Sequence, residues 1–120
     1  MSLVTPTRLF SDIDGISRFE DLDPTFTPRD FAPPAPPIDA TEPVGAREFL
    51  LIRFAAGWSD LAHPAPARQI MLILSGLIEV TAGGETRRFT GGDVCLVEDT
   101  VGAGHGTTAL EDTTIGVVRL

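Results

Sequence analysis

The chain has 120 residues, enough for one domain with its own hydrophobic core. Nine Lys and Arg stand against seventeen Asp and Glu, a net charge of −8, which disfavours nucleic-acid backbones and anionic membrane surfaces as partners. The single cysteine, Cys95, excludes an internal disulfide, and no apolar run reaches the length of a membrane-spanning helix. The opening Met1-Ser2-Leu3-Val4-Thr5-Pro6 lacks the basic start and apolar stretch of a secretory signal, so the expected setting is cytoplasmic. The origin of Met1-Ser2-Leu3 itself stays open.

Taken in chain order, residues 1–45 are acidic and rich in proline. Thr7 to Ser11 predicts a short strand, Asp12-Ile13-Asp14-Gly15 a turn, and residues 16–22 a short helical turn. Phe31-Ala32-Pro33-Pro34-Ala35-Pro36-Pro37 predicts an extended, polyproline-like run, because each proline fixes φ and restricts its predecessor. The segment reads either as a solvated linker or as an arm. Leu9, Phe10, Ile13, Phe19, Leu22, Phe26 and Phe31 are too many large apolar groups for a solvated tail, so an arm is favoured. It is expected to pack on the rest of the domain or across a partner chain.

Residues 46–120 predict consecutive short strands bounded by turn signals, the pattern of an all-β sandwich or barrel. The strands run over Ala46–Ala56, Arg68–Leu74, Leu77–Thr81, Glu85–Phe89, Val94–Val97, Gly106–Leu110 and Thr114–Leu120, with Gly83-Gly84 as a tight hairpin turn. No segment carries a 3.6-residue apolar stripe. Alternation puts Gln69, Met71 and Ile73 on one face of their strand and Ile70, Leu72 and Leu74 on the other. Both faces are mostly apolar, so one covers the interior and the other a second layer or a dimer partner. Gln69 on such a face is a polar group in need of a partner, which marks a pocket.

The segment from Gly57 to Gly76 resembles the first motif of the cupins. Gly57 is followed by five residues and then His63; Ala65 stands at the second histidine position, Gln69 at the glutamate position, and Gly76 closes the motif. The second motif is looser. Gly92-Asp93 opens it, Glu98 stands at its proline and Thr100 at its glycine, His105 arrives two residues late, and no asparagine follows. The proline-rich run, Gly57-Trp58, His63-Pro64-Ala65-Pro66, Arg87-Arg88-Phe89 and Glu98-Asp99-Thr100 are similar to a group of small bacterial cupins.

This resemblance, over residues 46–120, implies a double-stranded β-helix, a cupin jelly-roll barrel, preceded by the arm. It also implies a divalent transition metal such as Zn, Fe, Ni or Mn, held in the full motif by three histidines and a glutamate. Carried over, His63 and His105 remain as strong ligands, Gln69 offers a neutral oxygen, and Ala65 offers nothing. Glu98, Asp99 and Asp60 are carboxylates near the two histidines that spacing does not place.

The candidate site is therefore His63 and His105 as metal ligands or as acid and base, with Gln69 as a third metal contact. Arg53, Trp58, Met71 and Glu98 are the candidate pocket residues. The plainer alternatives are a core aromatic for Trp58 and a surface salt bridge for Arg53. Cys95 reads as a small core residue, and Arg87-Arg88 as solvated. Gly102-x-Gly104 lacks the strand, helix and lysine of a phosphate loop. Three functions follow as expectations. One is a small-molecule enzyme of isomerase, decarboxylase, hydrolytic or oxygenase type. The second is a non-catalytic module that binds or senses a small ligand, and the third an interaction protein that uses its arm as a bridge. A homodimer is expected because such barrels commonly pair.

Overall fold

The computed structural model describes residues 4–120; Met1, Ser2 and Leu3, including the first half of the opening segment read above, lie outside the described residues. Among the described residues there are eleven strands: β1 (Thr7–Ser11), β2 (Ser17–Asp21), β3 (Thr27–Arg29), β4 (Ile38–Ala40), β5 (Glu48–Phe54), β6 (Gln69–Ser75), β7 (Leu77–Ala82), β8 (Glu85–Thr90), β9 (Val94–Val97), β10 (Gly106–Ala109) and β11 (Thr113–Arg119). The strands expected after residue 46 all form, with ends shifted by one or two residues. No helix among the described residues is long and apolar enough to cross a membrane.

A six-stranded sheet in the order β2-β1-β9-β6-β11-β5 faces a three-stranded sheet in the order β10-β7-β8. Alternation along each strand sends one apolar set between the layers. Leu9, Ile73, Val97, Ile115 and Val117 come from the large sheet and Ile78, Val80, Phe89 and Ala109 from the small one, and all belong to a single buried cluster. Leu9 and Ile115 are 1% and 0% exposed.

Residues before 46 divide into two parts. β1 runs parallel to β9, with Leu9 opposite Val97, and β2 returns antiparallel with Phe19 opposite Leu9. This hairpin is therefore part of the barrel's large sheet. The turn joining it forms because Asp12 Oδ1 accepts the backbone N–H groups of Asp14 and Ile16, each at 2.9 Å. The helical turn expected around 16–22 is a strand instead. Ser17 is buried and Phe19 half-buried while Arg18 points out, a two-residue period that pairing with β1 enforces.

The second part, residues 22–45, holds the separate β3–β4 hairpin, with Arg29 opposite Ile38. The proline-rich run is not extended. Ala35 N–H donates to the Ala32 carbonyl at 2.9 Å and the Pro33–Pro34 peptide is cis. Pairing of β3 with β4 requires the chain to reverse there, which a polyproline helix cannot do.

Candidate functional site

Two loops build one end of the barrel. Residues 55–68 join β5 to β6, and residues 98–105 join β9 to β10. The first runs antiparallel beside β10: Ser59 bridges to Thr108, and His63 to His105. The two histidines exchange backbone hydrogen bonds, N–H to carbonyl, at 3.1 Å each way, and their ring centroids lie 5.7 Å apart. Gly104 makes this approach feasible. Its φ is +77°, and a Cβ there would stand 1.9 Å from the His63 carbonyl carbon. The extra residues that delay His105 relative to the motif are thus the turn that sets it opposite His63.

Each histidine faces a carboxylate. His63 Nε2–H donates to Asp60 Oδ2 at 2.8 Å and Nδ1–H to the Pro64 carbonyl at 2.9 Å. Asp60 is itself fixed, since its Oδ1 accepts the Thr107 N–H at 2.7 Å. With acceptors at both ring nitrogens, the protonated ring is favoured. The Pro64 carbonyl and then Asp60 raise the His63 pKa above its ordinary value, against a smaller opposing effect of burial.

His105 Nδ1–H donates to Asp99 Oδ2 at 2.7 Å. Asp99 is fully buried, and the same oxygen accepts the Ser17 hydroxyl at 2.7 Å. A carboxylate oxygen accepts, so Asp99 holds a ring proton on Nδ1 and leaves Nε2 as the second nitrogen of the ring. No hydrogen bond engages that Nε2 among the described residues.

His105 sits where two spaces meet. Below it lies an apolar cavity of about 50 Å³ inside the barrel, lined by Met71, Ile73, Val80, Cys95 and Ile115 among others. Above it lies an open mouth of about 160 Å³, lined by Phe54, Trp58, Asp60, His63, Pro66, Gln69, Met71, His105 and Thr107. Phe54, Met71, His105 and Thr107 border both. The inner space takes a few water-sized groups and the mouth a small organic molecule. Trp58 stacks on Phe54 with centroids 4.3 Å apart and forms one wall, and the buried Gln69 forms another. Cys95, at the inner end, is held inert. Burial, and then the charge of Asp99, push its thiol up to about 12.

The structure therefore brings His63, Gln69, His105, Trp58 and Met71 together and leaves two expected residues outside. Arg53 lies between the half-buried Ile52 and Phe54, so strand alternation turns it outward. Glu98 alternates with the buried Val97 and Asp99, and binds Arg8 and Arg68 at 2.6 Å on the outer side. Burial raises the Glu98 carboxyl, but the two arginines outweigh it and hold the group below its ordinary pKa. Ser17, Phe54 and Thr107 were not found from the sequence. Thr107 shares the face of His105 by two-residue spacing, and that signal was available. Ser17 reaches the site only through the β1–β2 hairpin and has no local signal.

The metal that the motif resemblance implies does not fit these residues. Ala65, at a ligand position, is a 4%-exposed core residue whose N–H bonds the Asp99 carbonyl at 2.8 Å. Both ring nitrogens of His63 are committed to acceptors, and Gln69 is neutral. No group of three or more His, Cys, Asp or Glu with ligating geometry occurs among the described residues.

No protein-family model and no curated protein matches the chain. Solved structures do. A cupin-superfamily protein of Desulfitobacterium hafniense is 20% identical with TM-score 0.52, covering 68% of this chain and 72% of that one. A cupin 2 conserved barrel domain protein of Salinispora arenicola is 22% identical with TM-score 0.50, covering 81% and 76%. A conserved Streptococcus pyogenes protein of unknown function is 26% identical with TM-score 0.51, covering 60% of this chain and 61% of that one. With the two facing sheets and their strand order, these likenesses show that the chain has the cupin fold.

Proposed function

We propose that the barrel mouth binds a small organic molecule and that His105 exchanges a proton with it. The observation that carries this reading is the Asp99–His105 hydrogen bond of 2.7 Å at the border of the mouth and the inner cavity, with Nε2 left over. A buried carboxylate that fixes one ring nitrogen orients the other as a base. The ligand's apolar part would face Met71, Phe54 and the inner cavity. Its hydroxyl or carbonyl oxygen would face Gln69, Thr107 and His105. Of the reaction types the fold hosts, proton transfer of the isomerase kind is the one these side chains support. Decarboxylase or oxygenase chemistry through a bound metal finds no ligand set here. A cytoplasmic setting belongs to the same reading and is supported by the buried, unpaired Cys95.

A second reading, a binding or sensing module without turnover, shares the pocket. It is favoured by His63, whose ring nitrogens are both occupied and so offer a ligand no free proton-transfer atom.

The test is a panel of small keto, hydroxy and carboxylic compounds, followed by NMR of labelled protein. A binding compound is expected to shift signals of His105, Gln69, Met71 and Thr107 together and to leave Arg53 and Glu98 unmoved. Binding should weaken about tenfold or more in His105→Ala, the loss of one buried hydrogen bond. Shifts confined to the outer sheet face, or affinity unchanged in that variant, defeat the reading. Solvent-deuteron incorporation into the bound compound separates the catalytic form from the binding form.

A further inference from the structure

On the reading that the barrel mouth binds a small organic molecule beside His105, we propose that this ligand is an uncharged aliphatic ketone or aldehyde whose short alkyl chain enters the inner cavity while Gln69 holds its oxygen. Charge excludes the other classes. The chain has no lysine, and none of its arginines borders the mouth or the inner cavity. His63 spends both ring nitrogens on Asp60 and the Pro64 carbonyl, so it has no N–H to offer an anion. Asp60 in turn spends one oxygen on His63 and the other on the Thr107 N–H, so a cation finds no open carboxylate in the mouth. A carboxylate, a phosphate or an amine would each lose its hydration there without gaining a counter-charge.

One polar group is left waiting. Gln69 is 8% exposed and borders the mouth, and its amide has no hydrogen-bond partner among the described residues. A buried amide without a partner is costly, and a ligand oxygen that accepts its N–H removes the cost. The Thr107 side chain borders the same space and carries a second donor. A carbonyl oxygen accepts from both. A carbonyl also makes the C–H beside it acidic. The proton that His105 takes from that carbon leaves its electron pair on the oxygen that Gln69 holds, and return of the proton restores the ketone.

The inner cavity sets the length of the chain. Met71, Phe54, His105 and Thr107 border both spaces, so a group bound in the mouth reaches the cavity past them. Beyond them the walls are apolar, with Val80 from the small sheet and Cys95 and Ile115 from the large one. A cavity of about 150 Å³ holds benzene; this one, of about 50 Å³, takes about two or three carbons of a chain and no ring.

The experiment is an NMR titration of the full chain with acetone, butanone, pentan-2-one and hexan-2-one, and with the matching carboxylates acetate, propanoate and butanoate. Affinity should rise about fourfold for each carbon as far as pentan-2-one, the gain for burying one methylene, and then level off. Each carboxylate should bind at least about tenfold more weakly than its ketone. Gln69→Leu should weaken every ketone about tenfold and leave the gain per carbon unchanged. It should unfold no more readily than the native chain, because it removes an unpaired buried amide. Val80→Ala should carry the rise on to hexan-2-one, and Cys95→Leu, which fills the cavity, should abolish it. Ketones that do not bind, affinity that ignores chain length, carboxylates that bind as tightly as ketones, or a levelling-off that neither cavity variant moves would each overturn the proposal. If a cavity variant unfolds, the native series and Gln69→Leu decide the matter. Solvent-deuteron uptake by a bound carboxylate would leave the proton-exchange reading standing while this one falls. Ketones that bind with the expected profile and take up no deuteron would do the reverse.

Discussion

Leu9 and Phe31 belong to the same N-terminal third of the chain, yet Leu9 is 1% exposed and Phe31 is 74% exposed. Leu9 lies within the short strand β1 and Phe31 just after the short strand β3, and both are large and apolar. What separates them is a second layer. β1 lies beside β9 in a sheet that faces β7 and β8, so Leu9 has side chains above it as well as beside it. β3 and β4 pair only with each other among the described residues, and no second layer covers Phe31. The contrast teaches that burial follows from the sheet a strand joins, not from the strand's own hydropathy.

Truncation at the two places should therefore differ widely. Ile115 is fully buried between the sheets, and Ile115→Ala should cost about 2–5 kcal/mol of unfolding free energy through lost burial and a residual cavity. Phe31→Ala should change the unfolding free energy by no more than about 0.5 kcal/mol, because the side chain leaves water-exposed space behind. Urea unfolding of both variants gives the two numbers. Equal costs would mean that the hairpin is folded against the barrel.

A smaller effect is expected within the barrel at Gly104. Its left-handed φ and the 1.9 Å approach that a Cβ would make to the His63 carbonyl carbon oppose any side chain there. Gly104→Ala should cost about 2–4 kcal/mol, strain plus the parting of two backbone segments. It should also disturb the ring signals of both His63 and His105. The corresponding change at Gly45, beyond the hairpin, meets no atom within 4 Å and should be nearly silent. Unchanged histidine spectra in Gly104→Ala would show that the two segments are not held together there.

The barrel was legible in the sequence because its signals are local. Gly83-Gly84 marks a hairpin, Gln69, Met71 and Ile73 alternate with Ile70, Leu72 and Leu74, and the Gly57-to-Gly76 spacing brings His63 and Gln69 to one end. Two expectations failed where a distant partner decides. Residues 17–21 are a strand because β1 is beside them, and residues 31–37 turn because β3 and β4 pair. The site divides in the same way. His63 and His105 were readable from motif positions. Asp99 was visible as a nearby carboxylate, but its role depends on Ser17, 82 residues away along the chain. Arg53 is a pocket candidate for its apolar strand neighbours and Glu98 for its place just before the His105 loop, but strand parity turns both outward. A count of alternation from Phe54 and from Val97 would have excluded them.

The smallest expected effect is a pH dependence confined to the barrel. The Pro64 carbonyl and Asp60 stabilise the protonated His63 ring and hold its folded-state pKa above the ordinary 6.5. For a raised histidine, the stabilisation is fully present below the unfolded value and is lost as pH rises through the folded value. The stability difference between the native chain and His63→Gln should then be constant below about pH 6, shrink as pH climbs past about 6.5, and level off above the folded value. The His63 side chain is 52% exposed, so solvent screening keeps this slope shallow. Keeping the series above about pH 5.5 leaves Glu98 ionised throughout, since Arg8 and Arg68 hold its pKa below the ordinary 4.5. Phe31→Ala should track the native chain across the same range, because the hairpin carries no histidine. A difference that grows with pH in His63→Gln would reverse the sign and show that the ring is neutral in the fold. A neutral imidazole carries one N–H, so His63 could then donate to only one of Asp60 and the Pro64 carbonyl.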